Sequence, residues 1–499
     1  MHAFFEKMFQ TYPVKTRRSL EIFPPLVSLT LIFMPVWGAL FFPIPLAYFI
    51  IFYDIYFLWK SVYLVSTAYM GSRKIRQAEE VNWVEKAKAL PNFSKMHHVI
   101  IVPSYTESVE LLRRTLTCFK EQTFPQKQLH VYLALEKREA NVQEKAEKLK
   151  SEFGSIFGSF TYTLHPDLPG EVKGKSSNQA YAVKEAYKDL VEKKKLDGDF
   201  MTVSSVDADA IFDPQYFAYL AHQFLSSDTP HKHIWQSAIV FYNNFWEVPT
   251  FTRIMSFFSS LLRTGVLVQG HKLLPHATYS LSMKLLHSIG YWDTDVIPED
   301  YRVFFKAYFK TQGQVSVEPI FLKTSMDSAQ SPTYKASLIN KYNQERRWAW
   351  GVSDDGLFIK WWLTVPGVPF IKKTLLVYNV LLDHILWPVS WFLITISANV
   401  VALINPVFSR TSLGYMLPKT SEFILTLSLF TLIIMIYVDY TIHRHKHYKK
   451  PSLWRRLLFP LEFAFMPVAG FFLSTLPALI SHLQLFVGKR LEYKVTEKV

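Results

Sequence analysis

Apolar positions fall into two regimes along this chain. At both ends they run almost uninterrupted, and in the middle they alternate with polar stretches. From residue 22 to residue 53 there is no Asp, Glu, Lys, Arg or His. That is longer than the ~20 apolar residues one helix needs to cross a bilayer. Pro43 and Pro45 supply a break, because proline lacks an amide donor and restricts the residue before it. The pattern predicts a membrane hairpin with arms at 22–42 and 44–69, the second arm carrying Asp54 and Lys60. Apolar runs return after Pro369, at 386–409, 423–438 and 457–488, the last with Glu462 as its one formal charge. This last run is long for one span and short for two, so five or six spans are expected, with Pro467 or Gly470 at the bend if there are six. The stretch 374–382 reads as a helix lying at the membrane interface.

The middle of the chain carries a different rhythm. Short apolar runs at 98–102, 130–135, 160–164 and 200–206 alternate with polar helical stretches at 107–122, 139–153 and 178–192. Alternation of this kind predicts an α/β domain with a mostly parallel sheet covered on both faces. Ligands of such sheets bind beyond the carboxyl ends of the strands. Residues 103–107, Glu136 and 207–209 therefore share one rim.

Charge orients these parts. The net charge of +14 is concentrated beside the apolar runs: Lys15, Arg17 and Arg18, then Arg73, Lys74 and Arg76, then the block 443–456. Basic flanks of this kind mark the cytosolic side of membrane spans. They are not interleaved with aromatics over a soluble face, which argues against a nucleic-acid partner. The N-terminus and the middle region are thus expected in the cytosol. Lys489, Arg490, Lys494 and Lys498 favour a cytosolic C-terminus and an even number of spans. The expected division is 1–70 with two spans, 96–366 as the cytosolic domain, 370–488 with three or four spans, and a basic tail at 489–499. The first apolar run is too long for a signal peptide and is followed by a second span. The single Cys118 excludes an intramolecular disulfide. His443, His445 and His447 alternate within a basic loop and read as a juxtamembrane electrostatic segment.

Four motifs carry candidate chemistry. Asp207 and Asp209 end an apolar strand, and hard oxygen ligands there suit Mg2+ or Mn2+ holding a diphosphate, though a solvated strand end explains the same letters. The segment Gly170-Glu-Val-Lys173-Gly174-Lys175-Ser-Ser-Asn178 is not a Walker loop, because Pro169 stands where the first glycine belongs. It remains a basic loop entering a helix, able to bring Lys173 or Lys175 to a diphosphate. Glu299 and Asp300 form a carboxylate pair; such a pair in a partly dry cleft has a raised pKa suited to a general base, and Asp300 takes that role. An acidic first turn of a helix would give the same letters. In Gln344-Glu-Arg-Arg347-Trp348-Ala-Trp350-Gly351, residues 344, 347, 348 and 351 share one helical face, suited to a diphosphate and a stacked sugar ring.

In this order and between membrane segments, the motifs resemble those of family 2 glycosyltransferases of the cellulose, hyaluronan and chitin synthase-like and ceramide glucosyltransferase-like branch. The opening strand ends in Pro103-Ser-Tyr105-Thr-Glu107, similar to the family's Pro-x-Tyr-x-Glu. Asp207 and Asp209 match its Asp-x-Asp, Glu299 and Asp300 its Glu-Asp pair, and Gln344, Arg347 and Trp348 its Gln-x-x-Arg-Trp. Two departures stand out: Glu136 ends the second strand where the family commonly has two aspartates, and Pro298 precedes the Glu-Asp pair. The resemblance implies a Rossmann-like GT-A fold and an inverting, metal-dependent transfer from a nucleotide sugar, a UDP-sugar first among them, to a glycan or lipid acceptor. Polysaccharide synthesis at a plasma membrane is the leading form, and single-sugar transfer to a lipid the alternative. A transport or scaffold protein with structural acidic motifs would turn over no donor.

Overall fold

The computed structural model describes residues 2–442, 451–492 and 496. The histidines 443, 445 and 447 and tail residues Lys494 and Lys498 lie outside them. The middle region folds around one mixed eight-stranded sheet, ordered β3-β2-β1-β4-β7-β6-β8-β5. Its strands are β1 (His97–Ser104), β2 (Leu129–Glu136), β3 (Ser159–His165), β4 (Met201–Ser205), β5 (Ile211–Phe212), β6 (His233–Val240), β7 (Tyr279–Ser282) and β8 (Ser316–Ser325). β1, β2, β3 and β4 run parallel, as the alternation predicts, whereas β7 is antiparallel to both β4 and β6.

The apolar runs of β1 and β2 are continuous because both faces are covered. Ile100 and Val102 of β1 enter one core with Val131, Leu133 and Leu135 of β2, while Val99 and Ile101 enter the opposite core with Tyr132 and Ala134. A parallel strand buried on both sides needs this composition.

Among the described residues, five helices are long and apolar enough to cross a membrane: Pro13–Phe41, Pro43–Glu79, Phe370–Thr395, Ser412–Ile442 and the helical run Leu453–Phe486. The hairpin breaks at Phe42, just before Pro43, as its prolines require. A sixth span does not form among the described residues. Pro467 sits at the first turn of a short helix, where its missing N–H costs nothing, so the run continues through it. Residues 374–382 are not a separate interfacial helix either: they fall inside Phe370–Thr395, with no breaker to end it before them.

Side-chain pairing and close helix packing both tie membrane helices to the sheet region. Arg253 forks onto Glu462 at 2.8 and 2.7 Å. The helix Thr250–Val266 lies flush on Pro43–Glu79: a Cβ at Gly71 would stand 2.3 Å from the Thr264 carbonyl oxygen, so only glycine permits the approach.

Candidate active site

The carboxyl ends of β1, β2 and β4 open into a cleft of about 520 Å³ lined by Pro103, Ser104, Tyr105, Glu107, Glu136, Lys175, Asn178, Asp207, Ala208, Arg347 and Thr496. The β1 end turns sharply, with Thr106 at φ 70°. A β-branched residue there is strained. The Glu107 carboxylate holds the turn, accepting from the Tyr105 amide at 2.6 Å and the Ser104 hydroxyl at 2.9 Å. Glu136 pairs with Arg138 at 2.6 Å, and the Arg138 guanidinium lies 3.9 Å over the Tyr105 ring. Tyr105, Arg138 and Glu136 thus form one wall.

Lys175 is the centre of the opposite side. Its Nζ lies 2.7 Å from Asp207 Oδ1 and 3.0 Å from Glu299 Oε1, and donates to the Ala277 carbonyl at 2.5 Å. Lys173, two residues earlier, does not reach this cleft. It sits on an exposed loop beside Asp167, at the neighbouring hollow shared with Glu136 and Arg138. Gly174 between them has φ 143°, a conformation glycine alone adopts freely, and this turns the two lysines apart.

Asp300 opens the helix Glu299–Lys310. Its Oδ2 accepts from the Ala277 amide at 3.1 Å and its Oδ1 from the Tyr301 amide at 2.9 Å. Glu299 is 5% exposed. Burial raises the pKa of Glu299, opposed by Lys175 and reinforced by Asp300. Burial likewise raises Asp300, opposed by Lys175 and the two amides. Burial alone would depress the Lys175 ammonium, but Asp207 and Glu299 hold it above its usual value. A carboxylate with raised pKa accepts a proton only when ionised, so with either of these two as general base the acid limb of kcat/KM would lie above the ordinary carboxylate range near pH ~4. A pH–rate profile checks this; a limb at the ordinary carboxylate value would contradict it.

Asp209 takes a different position from Asp207. It is fully buried behind the cleft, its Oδ2 accepting from the Asp327 amide at 2.8 Å. The helical face of the fourth motif also divides. Arg347 lines the cleft and donates to Thr496 at 3.0 Å, whereas Gln344 accepts from Lys341 at 2.8 Å. Trp348 packs on Phe241, and the helix ends at Ala349, before Gly351 reaches its turn. Sequence reasoning missed Arg138, Asn178, Ala277 and Thr496. Asn178 ends the segment that begins at Gly170 and Arg138 follows Glu136 by two residues, but no spacing marked either; Ala277 contributes backbone alone.

Residues 203–438 match the family model described as glycosyl transferase family group 2. Among solved structures, a mannosyltransferase from Pyrobaculum calidifontis in complex with GDP-Man and Mn2+ is 14% identical with a TM-score of 0.40, over 79% of this chain and 99% of that one. S. aureus TarS residues 1–349 in complex with UDP-GlcNAc is 13% identical with a TM-score of 0.35, over 79% of this chain and 93% of that one. No curated protein matches the chain. The family match runs from β4 through Asp207, Asp209, Glu299 and Asp300 to beyond Arg347, and over these residues the chain matches the family 2 glycosyltransferases.

Proposed function

We propose that the chain transfers a sugar from a UDP-sugar or related donor to a glycan or lipid acceptor hydroxyl at the membrane, with inversion and with Mg2+ or Mn2+. Polysaccharide synthesis is its leading form. Residues 96–366 face the cytosol in this reading, with 1–70 and 370–488 embedded, in a plasma membrane. The observation that carries it is the clustering of Asp300, Glu299 and Asp207 around Lys175 at the cleft rim.

The donor's nucleobase lies against the Tyr105 wall, with Glu136 at its edge, and its diphosphate faces Lys175 and Arg347. Asp207 is the carboxylate that faces the cleft and would hold a divalent ion sharing ligands with phosphate, with Asp209 buried behind it at the same strand end. An ion held there would supply positive charge to the departing nucleoside diphosphate. Arg347 supplies a further cation for the leaving group. Asp300 takes the proton of the acceptor hydroxyl as its oxygen attacks the anomeric carbon and the bond to the diphosphate breaks.

The test is a panel of nucleotide sugars assayed for nucleoside diphosphate release, followed by sizing of radiolabelled product. Excess EDTA is expected to stop release and added Mn2+ or Mg2+ to restore it. Full turnover in EDTA would remove the metal from the mechanism, and a product one sugar larger than a lipid would replace polymer synthesis by single transfer.

A further inference from the structure

Arg263 takes no part in the donor cleft described above, yet it stands beside the reaction centre. Its guanidinium lies 5.1 Å from the Trp348 ring and 5.1 Å from the Phe241 ring. Its Nε is buried with no hydrogen-bond partner among the described residues. Nearby charge reaches it only through space, from Glu345, Tyr301, Asp300 and Asp207. Burial holds its pKa below the usual arginine value. A guanidinium with a buried Nε that makes no hydrogen bond keeps a donor for an anion that arrives with a ligand.

Its place in the fold narrows the ligand. Arg263 is near the end of the helix Thr250–Val266, and the next residues of that helix, Thr264 and Gly265, press against Gly71, Thr67 and Ala68 of a membrane-spanning helix. Leu262 beside it is 51% exposed. Arg263 therefore sits where a membrane-spanning helix meets the helix of Trp348, within electrostatic reach of Asp300 and outside the cleft lining. A guanidinium fork matches phosphate oxygens.

We infer that Arg263 binds the phosphate of a hydroxyl-bearing phospholipid acceptor, holding it so that its free hydroxyl reaches Asp300. This rests on the proposed function, in which Asp300 deprotonates an acceptor hydroxyl. The bond changes are those given there, and the phosphate itself is unaltered.

The experiment uses the full-length protein in phosphatidylcholine vesicles doped with either phosphatidylglycerol or diacylglycerol, two hydroxyl-bearing lipids that differ by the phosphodiester. Transfer of labelled sugar to lipid is measured for the wild type, Arg263→Lys and Arg263→Met, and nucleoside diphosphate affinity is measured separately by calorimetry. Transfer to phosphatidylglycerol but not diacylglycerol is expected. Its KM should rise at least about 10-fold in Arg263→Met and less in Arg263→Lys, the size of a lost charge-assisted hydrogen bond. Equal use of diacylglycerol, no transfer to phosphatidylglycerol, or an unchanged KM in Arg263→Met would overturn the inference. So would a loss of nucleoside diphosphate affinity matching the loss in KM, which would assign Arg263 to the donor. Donor turnover that ignores both lipids sinks this inference alone, whereas no donor turnover in any vesicle sinks the proposed function.

Discussion

Asp300→Asn is expected to lower kcat by roughly 10²- to 10⁴-fold, the range that a positioned general base contributes. Asparagine keeps the volume and leaves a carbonyl oxygen for the Ala277 or Tyr301 amide, which Asp300 now engages at 3.1 and 2.9 Å. It cannot accept the proton. Nucleoside diphosphate affinity should change little, because Asp300 is not among the residues that line the cleft proposed for the donor. Turnover and calorimetric affinity measured on one preparation separate the two effects. A variant that kept most of its turnover would move the base elsewhere.

Lys175→Met is expected to be the most destabilising single change at the site. Lys175 is the cation between Asp207 at 2.7 Å and Glu299 at 3.0 Å, with its side chain 15% exposed. Removing one partner of a buried charged cluster costs about 3 to 5 kcal/mol, because the remaining charges are left uncompensated. The pH dependence identifies the cause. Lys175 lowers the pKa of both Glu299 and Asp300, so without it both rise further. A carboxylate whose folded pKa exceeds its unfolded one binds its proton more tightly when folded. Its stability contribution is therefore present at low pH and lost as pH rises through the folded pKa. The variant should be close to the wild type in acid and fall away from it toward pH ~8 in denaturant titrations. A deficit equal at both ends would mean lost packing rather than stranded charge.

How much of this was legible in the sequence differs by element. β1 and β2 announced themselves because strands buried on both faces must be continuously apolar, and residues 99–102 and 131–135 supply both cores. β5, of two residues, and antiparallel β7, of four, are too short to show a period. The choice between Lys173 and Lys175 depended on the φ of Gly174, which letters do not carry. The motif spacing of Asp207 and Asp209 was plain, but not that one lines the cleft while the other is sealed behind it. Arg263 stood in an apolar helix with no motif around it, and only the folded chain brings the neighbouring rings of Phe241 and Trp348 against it.

Asp300 as the base of a single displacement is tested most directly by the anomeric configuration of the newly formed bond. Proton NMR of the first product, recorded before any spontaneous anomerisation of released sugar, should show inversion relative to the donor. Retention would require a second displacement at the same carbon and would contradict that role for Asp300.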